Sequence, residues 1–130
     1  MKNKILIISS EFPPGPGGIG SHAFNLSSQL YKRGYQIIVN TKSDYVNENQ
    51  ETLFDLKCPY KIFRFERKKL ILRTWIHRLK IIRSTIIKNN IKNVIVSGEF
   101  SIWTIPIIKI NRNIKITTII HGTELGRNWY

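Results

Sequence analysis

Acidic residues are scarce in this chain. Eight Asp and Glu stand against 21 Lys and Arg, a formal charge of +13 over 130 residues, large enough to attract phosphate-rich or lipid-headgroup surfaces across a Debye length. Cysteine is nearly missing. Cys58 is alone, so it forms no internal disulfide, and with no metal ligand at useful spacing it reads as a buried thiol. Long apolar runs are missing too. The opening MKNKILIISSEF has only a short apolar stretch before Glu11, a poor signal peptide that cannot span a bilayer, so the expected location is the cytosol. No helix-turn-helix, zinc or RRM-type pattern occurs, and Trp75, Trp103 and Trp129 do not form a stacking row, so nucleic acid is not an expected partner. There are no repeats or low-complexity tracts, and 42% hydrophobic with 22% charged residues is a globular composition. Residues 1–130 read as a single domain, since the length suffices for one core and not for two of ordinary size.

What the sequence does have is a succession of strand-length apolar runs: 4–9 (KILIIS), 36–41 (QIIVNT), 61–65 (KIFRF), 93–97 (NVIVS) and 115–121 (KITTIIH). Most are rich in Ile and Val and lack polar-out alternation, as parallel strands covered on both faces do. Between them, residues 18–33 carry Ile19, Phe24, Leu26 and Leu30 near helical spacing, with Gly34 as C-cap. Residues 70–89 set Leu72, Trp75, Ile76, Leu79, Ile82 and Ile86 on one face. A third helix is expected over 100–110, limited or kinked by Pro106. Residues 42–60 read as a long polar loop holding a short helix near 51–56. Strand and helix in alternation predict a Rossmann-like α/β parallel sheet with helices on both faces, in strand order 3-2-1-4-5. Ligands of such sheets sit beyond the carboxyl ends of the strands.

The loop EFPPGPGGIG, residues 11–20, follows the first strand and packs three prolines and four glycines before a helix. Pro13 and Pro14 lock φ and fix its approach. Glycines that open a helix let N–H groups face an anion, and the helix dipole adds roughly half a positive charge there. A P-loop has this glycine spacing, but Ser21 stands where its lysine belongs and His22 where its magnesium-binding hydroxyl belongs. A dinucleotide fingerprint fits poorly as well. Residues 10–14 intervene after the strand, and Asn40 and Thr41 replace the ribose-binding acid.

The phrase FPPGPGGIGSHAFNLSSQLYKRGYQIIVNT, 12–41, together with HGTEL, 121–125, resembles the family 4 glycosyltransferases. These GT-B enzymes open with a strand, an F/Y-P-P segment, a GG-x-G loop and a helix ending in R-G-H/Y, and carry HG-(S/T)-(D/E) after the fifth strand. The resemblance covers most of the chain and implies the N-terminal, acceptor-side half of the enzyme. It implies transfer of a sugar from a nucleotide-sugar donor to a hydroxyl acceptor, a glycan or a lipid-linked molecule, with retention and with no cofactor or metal. On the same basis Gly17, Gly18 and Gly20 match the loop that approaches the donor diphosphate, and His121 matches the catalytic histidine that faces the transferred sugar. An imidazole suits that task because it donates or accepts a hydrogen bond near neutral pH. Glu99, Glu124 and His22 are candidates for acceptor or sugar contact. The basic pair and E-x7-E acids that grip the donor in the family's second domain do not occur in these 130 residues. The resemblance therefore implies an N-terminal fragment that does not turn over alone. The alternative is a non-catalytic nucleotide- or phosphate-binding module using the same loop.

The segment KKLILRTWIHRLKIIR, 68–83, puts Lys69, Arg73 and Lys80 along one flank of a helix, with Leu70 and Ile81 off the core face. The first reading is an amphipathic core helix with a solvated basic face. The second is peripheral contact with an anionic membrane, at the inner face of the plasma membrane.

Overall fold

The computed structural model describes residues 3–43, 47–66, 68–110 and 113–122. In chain order these form β1 (Lys4–Ser9), α1 (Gly18–Lys32), β2 (Gln36–Ser43), α2 (Glu48–Lys57), β3 (Lys61–Glu66), α3 (Ile71–Asn89), β4 (Asn93–Ser97), α4 (Glu99–Ile102), α5 (Ile105–Ile108) and β5 (Lys115–Ile119). The strands make one parallel sheet in the order β3-β2-β1-β4-β5. With helices on both faces it is the expected Rossmann-like α/β architecture.

β1 is central because both of its faces are apolar. Leu6, Ile7 and Ile8 are completely buried, and each such side chain stabilises the fold by about 1.5–3 kcal/mol relative to exposure. The pleat divides the interior into two layers. Leu6, Ile8, Ile38, Val94 and Val96 pack with Ile82 and Ile86 of α3 and Ile108 of α5. On the other face Ile5, Ile7, Ile37 and Val39 pack with Ala23 of α1, Phe12 and Tyr60.

Several elements differ in detail from the sequence reading. α1 buries the small residues Gly20, Ala23 and Ser27, while the larger Phe24 and Leu30 pack at the margin. Small side chains let the helix axis approach the sheet, and Ser27 satisfies its hydroxyl on Ala23 O at 2.7 Å. α3 buries Arg78, Ile82, Thr85 and Ile86, whereas Leu72 and Ile76, expected on the core face, are exposed. In its first two turns Thr74 and Trp75 are only half-buried. The helix expected over 100–110 is divided into α4 and α5, with Pro106 in the first turn of α5, where its missing N–H costs nothing. The segment after β2 is less irregular than expected. Asn47 caps α2 by accepting from Gln50 N at 2.9 Å, and the helix runs on to Lys57. β5, at the sheet edge, leaves Thr117 and Thr118 exposed, unlike the doubly covered strand expected. Cys58 is half-buried, and burial followed by the Asp55 carboxylate pushes its thiol pKa up.

Candidate functional site

The loop after β1, the start of α4 and the end of β5 converge at the carboxyl edge of the sheet. Ser10 N donates to Ser97 O at 3.0 Å, and the Ser10 and Ser101 hydroxyls lie 3.4 Å apart. These contacts fasten the loop after β1 to the end of β4 and to α4.

The glycines have different tasks. Gly17 is the N-cap of α1 with φ 131, a conformation that L side chains rarely adopt. A Cβ there would also land on the Glu11 carboxylate. Gly18 begins the helix with open space where a Cβ would point. Gly20 is buried, and a Cβ on it would lie 3.1 Å from Phe12 N and 3.2 Å from Glu11 C, so this glycine lets α1 press onto the incoming loop. No side chain caps α1 and no acid lies in its first turn. The positive end of the helix dipole is met instead by Glu11, whose carboxylate stands beside Gly17.

Arg64 of β3 supports the loop from beneath. Its Nη2 donates to Pro13 O at 2.6 Å. Its Nε and Nη2 also fork onto Asp55 Oδ2 and Oδ1 at 2.9 and 2.8 Å. Glu51 Oε1 is 3.8 Å from Nη1, and the Ser43 hydroxyl bonds to the Glu51 carboxylate. The strand alternation in KIFRF sends Phe63 and Phe65 to one face and Arg64 to the other, a signal that the sequence reading did not use.

His121 follows β5 and is half-buried. Its Nε2 lies 3.0 Å from Ser97 Oγ, a hydrogen bond whose donor depends on the tautomer. The ring of His22, on the first turns of α1, meets it edge to face with centroids 5.4 Å apart. The fold thus sets His121 against His22 on α1, the helix that Gly17 and Gly18 open, while Gly20 sits in the packing beneath the loop. Glu99 opens α4 on the same edge of the sheet. Glu124 lies outside the described residues. Among the described residues no group of three or more His, Cys, Asp or Glu side chains could hold a metal ion, and no helix is long and apolar enough to cross a membrane.

No family model matches the chain, and no curated protein matches it significantly. Among solved structures, the crystal structure of LpCGTa in complex with UDP aligns with 91% of this chain at TM-score 0.57 and 13% sequence identity. The two share a fold. The chain spans 30% of the length of LpCGTa, and at this identity the likeness speaks to architecture, with function to be argued from the site.

Proposed function

We propose that the chain is the acceptor-side, N-terminal domain of a GT-B glycosyltransferase of the family 4 type. It would move a sugar from a nucleotide-sugar donor to a hydroxyl of a glycan or lipid-linked acceptor, with retention. A second domain would hold most of the donor, and the 130 residues alone would be inactive. Likeness of fold to a UDP-bound glycosyltransferase supports the coarse reading.

The observation that carries the finer reading is the pairing of an uncapped helix start with an imidazole. Gly17 and Gly18 open α1 without a side-chain cap, and His121 is held beside His22 and Ser97 at the same edge. A diphosphate approaching this helix start would gain from the dipole and the helix N–H groups, in place of the Glu11 carboxylate that now stands beside Gly17. Glu11 would swing aside as the donor arrives. His121 would meet the transferred sugar through a hydrogen bond, its ring orientation kept by Ser97. Glu99, His22 and Glu124 remain candidates for contact with acceptor or sugar. Peripheral contact with an anionic membrane at the cytoplasmic face belongs to the same reading. Leu70, Ile71 and Leu72 are exposed next to Lys68, Lys69 and Arg73, the mixture that interfacial helices present.

The test uses the full-length protein with a panel of nucleotide sugars. Gly18→Val points into open space, so its circular dichroism should match wild type while turnover falls by about 100-fold or more. Wild-type rates in that variant would remove the diphosphate role from the loop.

A further inference from the structure

A run of buried hydroxyls leads from α3 to the paired histidines at the carboxyl edge of the sheet. It starts at Arg78, which is 4% exposed and donates from Nη1 to Phe100 O and from Nη2 to Ser101 Oγ, both at 2.9 Å. A guanidinium only donates, so the Ser101 hydroxyl accepts there and turns its own hydrogen elsewhere. Ser10 Oγ lies 3.4 Å from it and in turn donates to Ser97 O, also 3.4 Å away. The direction of each hydrogen bond is thereby set by the one before it. Ser10 N adds a second hold on the same carbonyl at 3.0 Å. Gly98 comes next, with φ 88, at a place where a Cβ would land on the Ser10 hydroxyl, so the turn after β4 closes directly onto Ser10.

Ser97 is therefore fixed, and its side chain has one contact to make. The residue is 1% exposed, and among the described residues the hydroxyl has a single hydrogen-bond partner, His121 Nε2 at 3.0 Å. Were Nε2 protonated, it would donate to Oγ and strand the serine hydrogen in the interior. A buried donor without an acceptor is the costly fault, whereas a spare lone pair is tolerated. The opposite arrangement carries no such penalty. Ser97 donates, Nε2 accepts, and the ring proton sits on Nδ1. The His22 ring, edge to face with centroids 5.4 Å apart, bounds the imidazole on the α1 side.

We propose that Ser97 is a positioning residue that holds His121 as its Nδ1–H tautomer, so that the imidazole meets a ligand as a hydrogen-bond donor. With Nε2 engaged by Ser97 and Nδ1 protonated, the ring is suited to orient a sugar oxygen and not to take a proton from an acceptor hydroxyl. The tautomer stands on the geometry alone, and only its use toward a sugar rests on the glycosyltransferase reading.

The full-length protein with isotope-labelled histidine is read by nitrogen NMR at pH ~8, above the ordinary imidazole range, with His121→Gln identifying the signal. The expected wild-type pattern is an unprotonated Nε2 and a protonated Nδ1. Ser97→Ala should move the proton toward Nε2, the form that free histidine prefers in water, and Ser97→Thr, which keeps the hydroxyl, should restore the wild-type pattern. If Ser97→Ala does not fold, Ser97→Cys takes its place, because a thiol of similar size is a weak donor. In turnover with nucleotide sugars, Ser97→Ala should lower kcat about tenfold, the worth of one hydrogen bond, with KM within about twofold of wild type. A wild-type proton on Nε2, or a tautomer unchanged in Ser97→Ala, overturns the proposal. Wild-type kcat in a Ser97→Ala protein whose tautomer has shifted overturns instead the contact between His121 and the sugar, so the two failures are told apart.

Discussion

Replacing Arg64 with methionine removes a guanidinium that ties three parts of the chain together. Its side chain is 9% exposed, it forks onto Asp55, and it donates to the Pro13 carbonyl in the loop after β1. Breaking a buried ion pair on one side costs about 3–5 kcal/mol, because the partner charge stays behind. Here Asp55 is 23% exposed, so water recovers part of that loss, but Glu51, at 6%, is left with much less solvent. The low end, about 3 kcal/mol, is the expected loss, and for a domain of this size it lowers Tm by roughly 10 °C. Arg64→Lys keeps the charge and loses the planar fork, so about half that drop is expected. The assay is thermal unfolding followed by circular dichroism on wild type and both variants. A Tm for Arg64→Met within about 2 °C of wild type would refute the argument, since the fork and the loop anchor would then contribute nothing net.

Two further outcomes test local packing and ionisation. Gly20→Ala should destabilise by about 1–3 kcal/mol through overpacking against the Phe12 and Glu11 backbone, whereas Gly18→Ala should stay within about 0.5 kcal/mol of wild type. Equal effects in denaturant unfolding would mean that the close approach at Gly20 is not as described. Burial, offset by the Ser28 hydroxyl at 3.3 Å, pushes the Tyr60 phenol up to about 12, above an unfolded value of about 10. A folded pKa raised in this way gives stability that is complete below pH ~10 and lost as pH rises through ~12. Tyr60→Phe should therefore flatten the alkaline decline of stability across that window, and an unchanged slope would show that the phenol contributes nothing there.

The sheet was legible because its signal is local and redundant. KILIIS and NVIVS are too short and too apolar to serve as anything but covered strands, and Gly34 follows α1 with the positive φ of a helix-ending glycine. The helix faces were harder. Periodicity ranked Leu72 and Ile76 as core because they are large, yet the fully buried residues of α3 begin at Arg78 and include the polar Thr85. In α1 the reverse occurred, because Ala23 and Ser27 are buried on account of their small size. On the site side, the glycine loop was visible in sequence, while Ser97 beneath His121 and Arg64 beneath Pro13 depend on pairings between distant segments, which no local window contains.

Arg64 and Arg78 show how far folding alone accounts for the charge. Arg64 and Arg78 lie on opposite faces of one sheet, both desolvated and both near its carboxyl edge. Two carboxylates of α2, Asp55 and Glu51, are directed at Arg64, and they serve a structural end by anchoring the loop. Arg78 receives a carbonyl and a hydroxyl, which satisfy N–H groups and leave the net charge in place. Among the described residues the acids meet the first arginine and the second meets neutral acceptors, so the second keeps its buried charge at a cost in folding energy. Arg64 thus anchors the loop after β1 through charged partners, whereas Arg78 ties α3 to α4 through neutral ones.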